Sequence, residues 1–476
     1  LTWDNAAVMN PVTATALGVK HGVKIALSLG DATIELPVFE IPGVALGVIT
    51  VSFGYGRQRA GAVGGHEDLK VPAVGVDVSP LRRQGTMLLA TGVQARPRPR
   101  STYEMATTQN HWAIDSLGQQ ETIDRSYQLV REGSSELYKV LPDFSHYQGV
   151  HSPPLESLWD EPINQIEKAR PELPQWGMAI DLSKCIGCNA CVVACQSENN
   201  VPIVGREQVR MGREMHWIRV DRYFQGNEDF AEVVQEPLMC QHCETAPCEQ
   251  VCPVAATVHT DDGINAMAYN RCIGTRYCAN NCPYKVRRFN YFNWNEKIGV
   301  GYGIKAYESN IENANRKLQQ LVLNPEVTVR GRGVMEKCTF CTQRVEGAKI
   351  KARTEGGRAI RDGDVQTACQ TACPASAIVF GNIQDDSAEV SKWKKNPRNY
   401  AMLDQLNVHP RTTYLARVRN THPRLMTAHQ IEELKKLPEK AAHHHAHADH
   451  GKKHEEEHHD DDHAVDGKTP AEPAAH

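Results

Sequence analysis

Fifteen cysteines constrain this chain of 476 residues more than any other feature, because all lie between Cys185 and Cys373 in four tight groups. The first is Cys185-x2-Cys188-x2-Cys191-x3-Cys195. The second is Cys240-x2-Cys243-x4-Cys248-x3-Cys252-Pro253. The third holds Cys272, Cys278 and Cys282-Pro283, with Thr275 standing where the rhythm calls for a further cysteine. The fourth is Cys338-x2-Cys341, then 27 residues, then Cys369-x3-Cys373-Pro374. None is left over. A disulfide framework would not bunch thiols at two- and three-residue gaps, so the groups read as metal ligands.

The cadence selects the metal. Three thiolates two residues apart on a curling loop reach three iron corners of one cubane. A fourth, three residues on and often before a proline, starts a helix that points away; in two-cluster ferredoxins it ligates the other cluster. Groups two and three, separated by 19 residues (253–271), form one such pair. Between them "VHTDDGINAM" reads as a hairpin with an Asp-Gly turn. Groups one and four then pair across the chain, with that module inserted between them. A structural zinc-binding module is the alternative, but zinc closes with four ligands per site at longer separations between its C-x2-C pairs. The set favours iron–sulfur.

The remainder organises around this region. At 41% hydrophobic and 23% charged, most of the chain can bury a core, and its length predicts more than one domain. Residues 1–80 read as β-rich: "VKIALSL" and "ATIELPVFEI" alternate around the turn "GDA", and "ALGVITVSF" follows. "NPVTATAL" reads as a short helix with Asn10 as cap and Pro11 at its first position. "GYGRQRAGAVGG" (54–65) matches neither G-x-G-x-x-G nor a P-loop and reads as a mobile loop. Residues 95–175, opening on "ARPRPR", read as a linker wrapping over its neighbours, with one amphipathic helix at "TIDRSYQLVREGSSELYKVL". Residues 176–385 hold the cysteines, and 386–440 read as a helical extension ending in "AHQIEELKKL". The tail, 441–476, carries ten of the 21 histidines and nine acidic against three basic side chains, and reads as disordered. It accounts for the net charge of −4, and nothing in the rest suggests nucleic-acid binding. The longest charge-free stretch, Ile41 to Gly56, is too short to span a bilayer. The chain starts at Leu1 without initiator methionine or signal-like segment, and reads as a piece whose upstream part lies elsewhere.

"MAIDLSKCIGCNACVVACQSENN", "CQHCETAPCEQVCPVAA", "CPYKVRRFNYF" and "EKCTFCTQRV" resemble the four-cluster iron–sulfur subunits of the molybdopterin oxidoreductase superfamily. The resemblance implies an α+β, double-ferredoxin-like fold and a nested set of ligands. One cluster takes Cys185, Cys188, Cys191 and Cys373; a second takes Cys338, Cys341, Cys369 and Cys195. A third takes Cys240, Cys243, Cys248 and Cys282, and the fourth has only Cys272, Cys278 and Cys252. Three [4Fe-4S] clusters and one [3Fe-4S] cluster are therefore expected. Residues 1–94, opening "LTWDNAAVMNPVTATALGVKHGVKIALSLGDATIELPVFEIPG", resemble part of the terminal β-barrel that holds the pterin dinucleotide in molybdenum enzymes. Such a barrel fused ahead of a four-cluster domain is similar to the large iron–sulfur subunit of alternative complex III, a bacterial quinol oxidoreductase whose molybdenum-type part is a relic without metal.

What the resemblance implies is an electron-transfer subunit with no bond-making catalytic site. Its partners would be a polytopic membrane quinol-binding subunit, c-type cytochrome subunits and an upstream molybdopterin-like domain. No molybdopterin is expected, and the place implied is the periplasmic face of the membrane. A molybdopterin-dependent reductase of the polysulfide or DMSO reductase kind, running the wire in the other direction, is the second redox reading. Two local expectations follow. Thr275 offers a hard, protonated hydroxyl where soft iron wants a thiolate, which is what points to three irons in the third group; a four-iron cluster with water at the open corner, or no cluster there, are the alternatives. "YKVRRFNYFNW" brings Lys285, Arg287 and Arg288 beside Phe289, Tyr291, Phe292 and Trp294, either offsetting and shielding cluster charge or forming a docking face for the membrane subunit.

Overall fold

The computed structural model describes residues 3–426 apart from 61–64, 66, 69–71, 86, 109–125, 149–164, 166–167, 226–230, 296–319, 423 and 425, together with 431 and 435. Strands β1 (Ala7–Met9), β2 (Val23–Leu29), β3 (Ala32–Glu40) and β4 (Gln94–Thr102) form a sheet in the order β1-β3-β2-β4. The alternation of β2 and β3 drives Ile25 and Leu36 into a core with Met9 and Val38, all four fully buried. The short helix Pro11–Ala16 forms as expected, Asn10 Oδ1 accepting from the Val12 N–H at 2.8 Å. A strand over "ALGVITVSF" does not form. Among the described residues this stretch makes one isolated bridge, Val8 to Thr50, and leaves Leu46, Val48 and Phe53 exposed.

All of strand β4 but Gln94 lies inside the segment expected to be linker. Its prolines, Pro97 and Pro99, cannot donate to a ladder, so the strand is confined to an edge, and the sheet order puts it at one. With β1 at the other edge, the described strands make an open sheet and no closed barrel. The single helix expected over 122–141 is also revised, as far as it is described. It is two short helices, Ser126–Leu129 and Ser135–Val140, with β5 (Glu132–Ser134) between them. Gly133 favours the break, and Ser134 caps the second helix by accepting from the Leu137 N–H at 3.0 Å.

The described residues within 1–132 and 145–417 form one compact unit, and those within 133–144 and from 418 onward form another. In the first, β6 (Trp176–Asp181) runs directly into the first cysteine group. The inserted segment carries a long hairpin, β7 (Arg219–Gln225) with β8 (Glu232–Leu238). The expected short hairpin follows, β9 (Thr257–His259) with β10 (Asn265–Met267), then the pair β11 (Arg288–Phe289) and β12 (Met335–Glu336). After the fourth group the chain returns as β13 (Ile378–Asn382), antiparallel to β6 with Ile378 opposite Ile180. This pairing brings the first and fourth cysteine groups side by side.

The sheet is completed by β15 (Thr412–Leu415), parallel to β6, and β14 (Asn399–Tyr400). Both come from the extension expected to be helical, which does contribute the helix Glu389–Lys394. "RTTYLARV" is rich in β-branched and aromatic residues, and all four residues of β15 are buried. In the second unit, most of β5 and of β16 (Arg417–Arg419) pair with each other. The helix expected at "AHQIEELKKL" and the tail lie outside the described residues, 431 and 435 excepted. Among the described residues no helix is long and apolar enough to cross a membrane.

Candidate functional site

Each cysteine loop is shaped by residues in unusual backbone conformations. In "CIGCNAC", Gly187 takes φ +68° and Asn189 φ +62°, turning the chain into the helix Ala190–Glu198 that carries Cys191 and Cys195. In "CIGTRYC", Gly274 takes φ +76° and Arg276 φ +62°, entering the helix Tyr277–Asn280 with Cys278. The loops share their course, so Thr275 occupies the position that Cys188 holds in its own loop. Neither glycine is replaceable: a Cβ on Gly187 would lie 2.8 Å from Gln235, and one on Gly274 2.4 Å from the Gly333 carbonyl. The three Cys-Pro turns form a second repeat. The residue three after the cysteine is left-handed each time, as Ala255, Lys285 and Ser376. The next N–H then reaches back to sulfur, Ala256 to Cys252 Sγ at 3.2 Å and Ala377 to Cys373 Sγ at 3.3 Å.

Packing sorts the thiols. Cys185, Cys188, Cys191 and Cys373 line one hollow with Pro374 and Ile378. Cys240, Cys243, Cys248 and Cys282 line another with Tyr284 and Arg287. The buried Cys195 thiol faces Cys338, Cys341 and Cys369, all likewise buried. Asn199 reaches into this third set, its Nδ2 donating to Cys195 Sγ at 3.5 Å and standing 3.8 Å from Cys341 Sγ. The rest are Cys252, Cys272 and Cys278. Cys252 and Cys278 are both within electrostatic reach of the Arg287 guanidinium, and Cys272 Sγ accepts from the Met335 N–H at 3.5 Å.

Burial sets the electrostatics. It pushes the thiols of Cys191, Cys248 and Cys369 up to about 12, and those of Cys195 and Cys338 well above the ordinary range. Neighbouring thiolates add to the rise at each, and at Cys248 the Arg287 and Lys337 cations oppose it. Four such sulfurs ionise together only around a strongly cationic core, which is what a bound metal core supplies. A single ion does not suit the spacing. Four thiolates around one zinc, at Zn–S of about 2.3 Å, stand roughly 3.8 Å apart, yet among the described residues no three His, Cys, Asp or Glu side chains converge on one ion. Quartets that do not converge on one ion fit a multi-iron core. Cys252 behaves differently: although burial pushes its thiol up, N–H groups of Val254, Ala256 and Thr257, with Arg287, bring it below the ordinary value.

The segment "YKVRRFNYFNW" divides. Arg287 and Arg288 are buried, so neither is available to a docking partner, whereas Lys285 and Phe292 are exposed. Arg288 pairs with Glu214 at 3.0 Å. Two residues near the sulfurs escape sequence reasoning altogether. Asn199 sits one turn after Cys195 and shows no motif of its own. Lys337, fully buried, donates through Nζ to the carbonyls of Asn265 and Cys338 and reads in the sequence as an ordinary surface lysine.

Tandem ferredoxin loops with nested thiol sets define an iron–sulfur protein. Residues 184–256 and 231–298 each match a family of 4Fe-4S dicluster domains, which together imply about four clusters. The iron-sulfur cluster-binding subunit of a menaquinone reductase from Nitratidesulfovibrio vulgaris is 39% identical over 250 residues, covering 51% of this chain and 89% of that protein. Subunit 1 of the iron-sulfur part of an Hdr-like menaquinol oxidoreductase from Archaeoglobus fulgidus is 34% identical, over 48% of this chain and 78% of its own. The iron-sulfur subunit of an arsenate respiratory reductase from a Shewanella species is 28% identical over 50% of this chain and 95% of its own. The chain belongs to this family of iron–sulfur electron-transfer subunits of oxidoreductases.

Proposed function

We propose that this chain is the electron-transfer subunit of a membrane-associated quinol oxidoreductase, its fifteen cysteines holding three [4Fe-4S] clusters and one [3Fe-4S] cluster in the four sets described. One observation carries the reading. All eight cysteines of the two inner sets, Cys195 with Cys338, Cys341 and Cys369, and Cys240 with Cys243, Cys248 and Cys282, are buried. The cysteines that are not buried all belong to the outer sets: Cys185, Cys188 and Cys373 in one, Cys252 and Cys272 in the other. A sealed interior with two open ends suits a conductor between two partners.

Bound clusters supply one-electron transfer without making or breaking bonds. The chain's own residues do the rest. Thiolates hold the irons, and N–H groups of Ala256 and Ala377 and the Asn199 amide stabilise sulfur charge. Ile186 and Ile273, each 66% exposed, flank the open ends, one beside each outer set. With no membrane-crossing helix among the described residues, a polytopic partner must present the quinol. The names of the relatives from Nitratidesulfovibrio and Archaeoglobus support menaquinone-type chemistry. The arrangement proposed is that of alternative complex III: c-type cytochromes as acceptors, the N-terminal sheet as a remnant of a pterin-type barrel without molybdenum, and a peripheral position on the periplasmic face.

The Shewanella relative, named for an arsenate respiratory reductase, favours a second reading, a reductase subunit, which by the resemblance stated above would serve a molybdopterin-dependent enzyme. A metal assay of the assembled complex separates them, since stoichiometric molybdenum would select the reductase. Rapid mixing of the oxidised complex with a quinol analogue tests the main reading: the iron–sulfur absorbance should bleach within turnover, and failure to bleach would sink it. Thr275 adds a sharper test. Because its loop keeps the course of the Cys188 loop, Thr275→Cys should replace the oxidised-state three-iron signal by that of a further four-iron cluster, as read by paramagnetic resonance. If the unmodified protein shows no three-iron signal when oxidised, that assignment is wrong.

A further inference from the structure

Two neighbouring arginines in the segment after the third group meet opposite fates. Arg288 finds a carboxylate, Glu214, at 3.0 Å. Arg287, 6% exposed, finds none among the described residues. Its Nη2 donates to Thr257 Oγ1 at 2.8 Å and to the Met267 thioether at 3.2 Å, while its Nε and Nη1 are buried without a hydrogen-bond partner. A guanidinium does not give up its proton in a protein. A buried cation with no counter-charge is strongly disfavoured, so something anionic must lie beside it.

The thiols within its electrostatic reach are those of Cys240, Cys248 and Cys282, and also those of Cys278 and Cys252; Thr257, which accepts from Arg287 through its hydroxyl, turns its own N–H to Cys252. The first three belong to the third ligand set, whose hollow Arg287 helps to line, and the last two to the fourth. The side chain thus reaches both sets.

We infer that Arg287 is a positioning residue for electrons, a fixed positive charge within reach of both the third and fourth clusters that raises the reduction potentials of both. The inference rests on the cluster assignment proposed above. One electron crosses from the reduced cluster to the oxidised one, no bond forms or breaks, and Arg287 keeps its proton throughout. Reduction of either cluster adds negative charge within reach of the same cation, so removing the cation must disfavour reduction of both.

The experiment is a redox titration of the assembled complex followed by paramagnetic resonance. Arg287→Gln should lower the reduction equilibrium constants of both clusters about tenfold, which is about 59 mV for a one-electron couple. Arg287→Lys keeps a charge at a displaced point, so it should retain full iron and lower both constants by less than the glutamine variant. Unchanged potentials, a shift confined to one cluster, or a lysine variant that shifts as far as the glutamine one would overturn the inference. If the glutamine variant does not keep its iron, the lysine variant decides alone: both potentials must move down together, and movement of one or neither overturns it. Failure of the underlying assignment looks different, since the unmodified complex would then lack one or both cluster signals.

Discussion

The N-terminal sheet and the cysteine-bearing region keep their shapes by different means. In the sheet, Met9, Ile25, Leu36 and Val38 are fully buried, and Asp4 is the one buried charged side chain among the described residues from 3 to 104. From Trp176 to Asn382 the interior holds ten buried cysteines, together with Arg287, Arg330, Glu336 and Lys337. Three of its helices, Pro247–Gln250, Tyr277–Asn280 and Ala368–Thr371, span four residues each, too few to stand alone. Apolar side chains hold one another without a bound partner. Converging thiolates and lone cations hold only when a partner of opposite charge completes them, so much of this region's stability belongs to what it binds.

The largest expected effect follows directly. Stripping iron with a chelator under reducing conditions should abolish hydrogen-exchange protection across 185–199 and 338–373, while the amides of Ile25 and Leu36 stay protected. Equal loss in both regions would break the distinction. Next comes a buried ion pair. Arg330 and Glu336, both with no exposed side-chain surface, meet at 2.8 Å, and Glu336 also accepts from Trp217 Nε1 at 3.0 Å and Asn290 Nδ2 at 2.6 Å. Arg330→Met leaves that carboxylate uncompensated and should cost roughly 3–5 kcal/mol in denaturant unfolding of the holo protein. A cost under about 1 kcal/mol would show the pair to be incidental.

Ile25→Ala sharpens the contrast from the other side. It should destabilise the sheet by about 2–5 kcal/mol yet leave the paramagnetic spectra unchanged; altered spectra would mean the two regions are coupled more tightly than their interiors suggest. The smallest effect lies at their junction, where the Trp3 and His216 rings sit 6.1 Å apart. Burial pushes the His216 imidazole down to about 4, with Glu214 opposing and Arg288 assisting. The folded value lies below the unfolded one, so the unfolded chain takes up the extra proton as pH falls. Stability should therefore decline from about pH 6.5 towards pH 4. His216→Gln should flatten that decline in a pH series of melting curves, and an unchanged slope would exclude His216 as its source.

What the sequence disclosed was whatever is written locally. The cysteine cadence, the β2–β3 and β9–β10 hairpins and the Asn10 cap each occupy one short stretch, and each formed. Strand β4 was hidden because Pro97 and Pro99 speak against a strand until its place at a sheet edge is known. Strand β15 was hidden because its partner, β6, lies more than two hundred residues earlier. Arg287 and Arg288 are adjacent and chemically identical, so only packing distinguishes the cation that meets a carboxylate from the one that does not. The sorting of thiols into sets could be stated beforehand only through resemblance, since spacing alone leaves open which distant cysteine closes each loop.

The pairing of β6 with β13 has a consequence for synthesis. Cys373 joins the hollow of Cys185, Cys188 and Cys191 from roughly 180 residues downstream, which a ribosome adding about 5–20 residues per second reaches some 10–40 s later. During that interval the first three thiols are made but cannot be completed, and they stand open to oxidation and to stray metal. Cluster insertion for the first set is thereby deferred until nearly the whole region has emerged, and the order of assembly runs inside out: the inserted module, whose ligands all lie between Cys240 and Cys282, can finish first and serve as the template on which the older end of the chain closes.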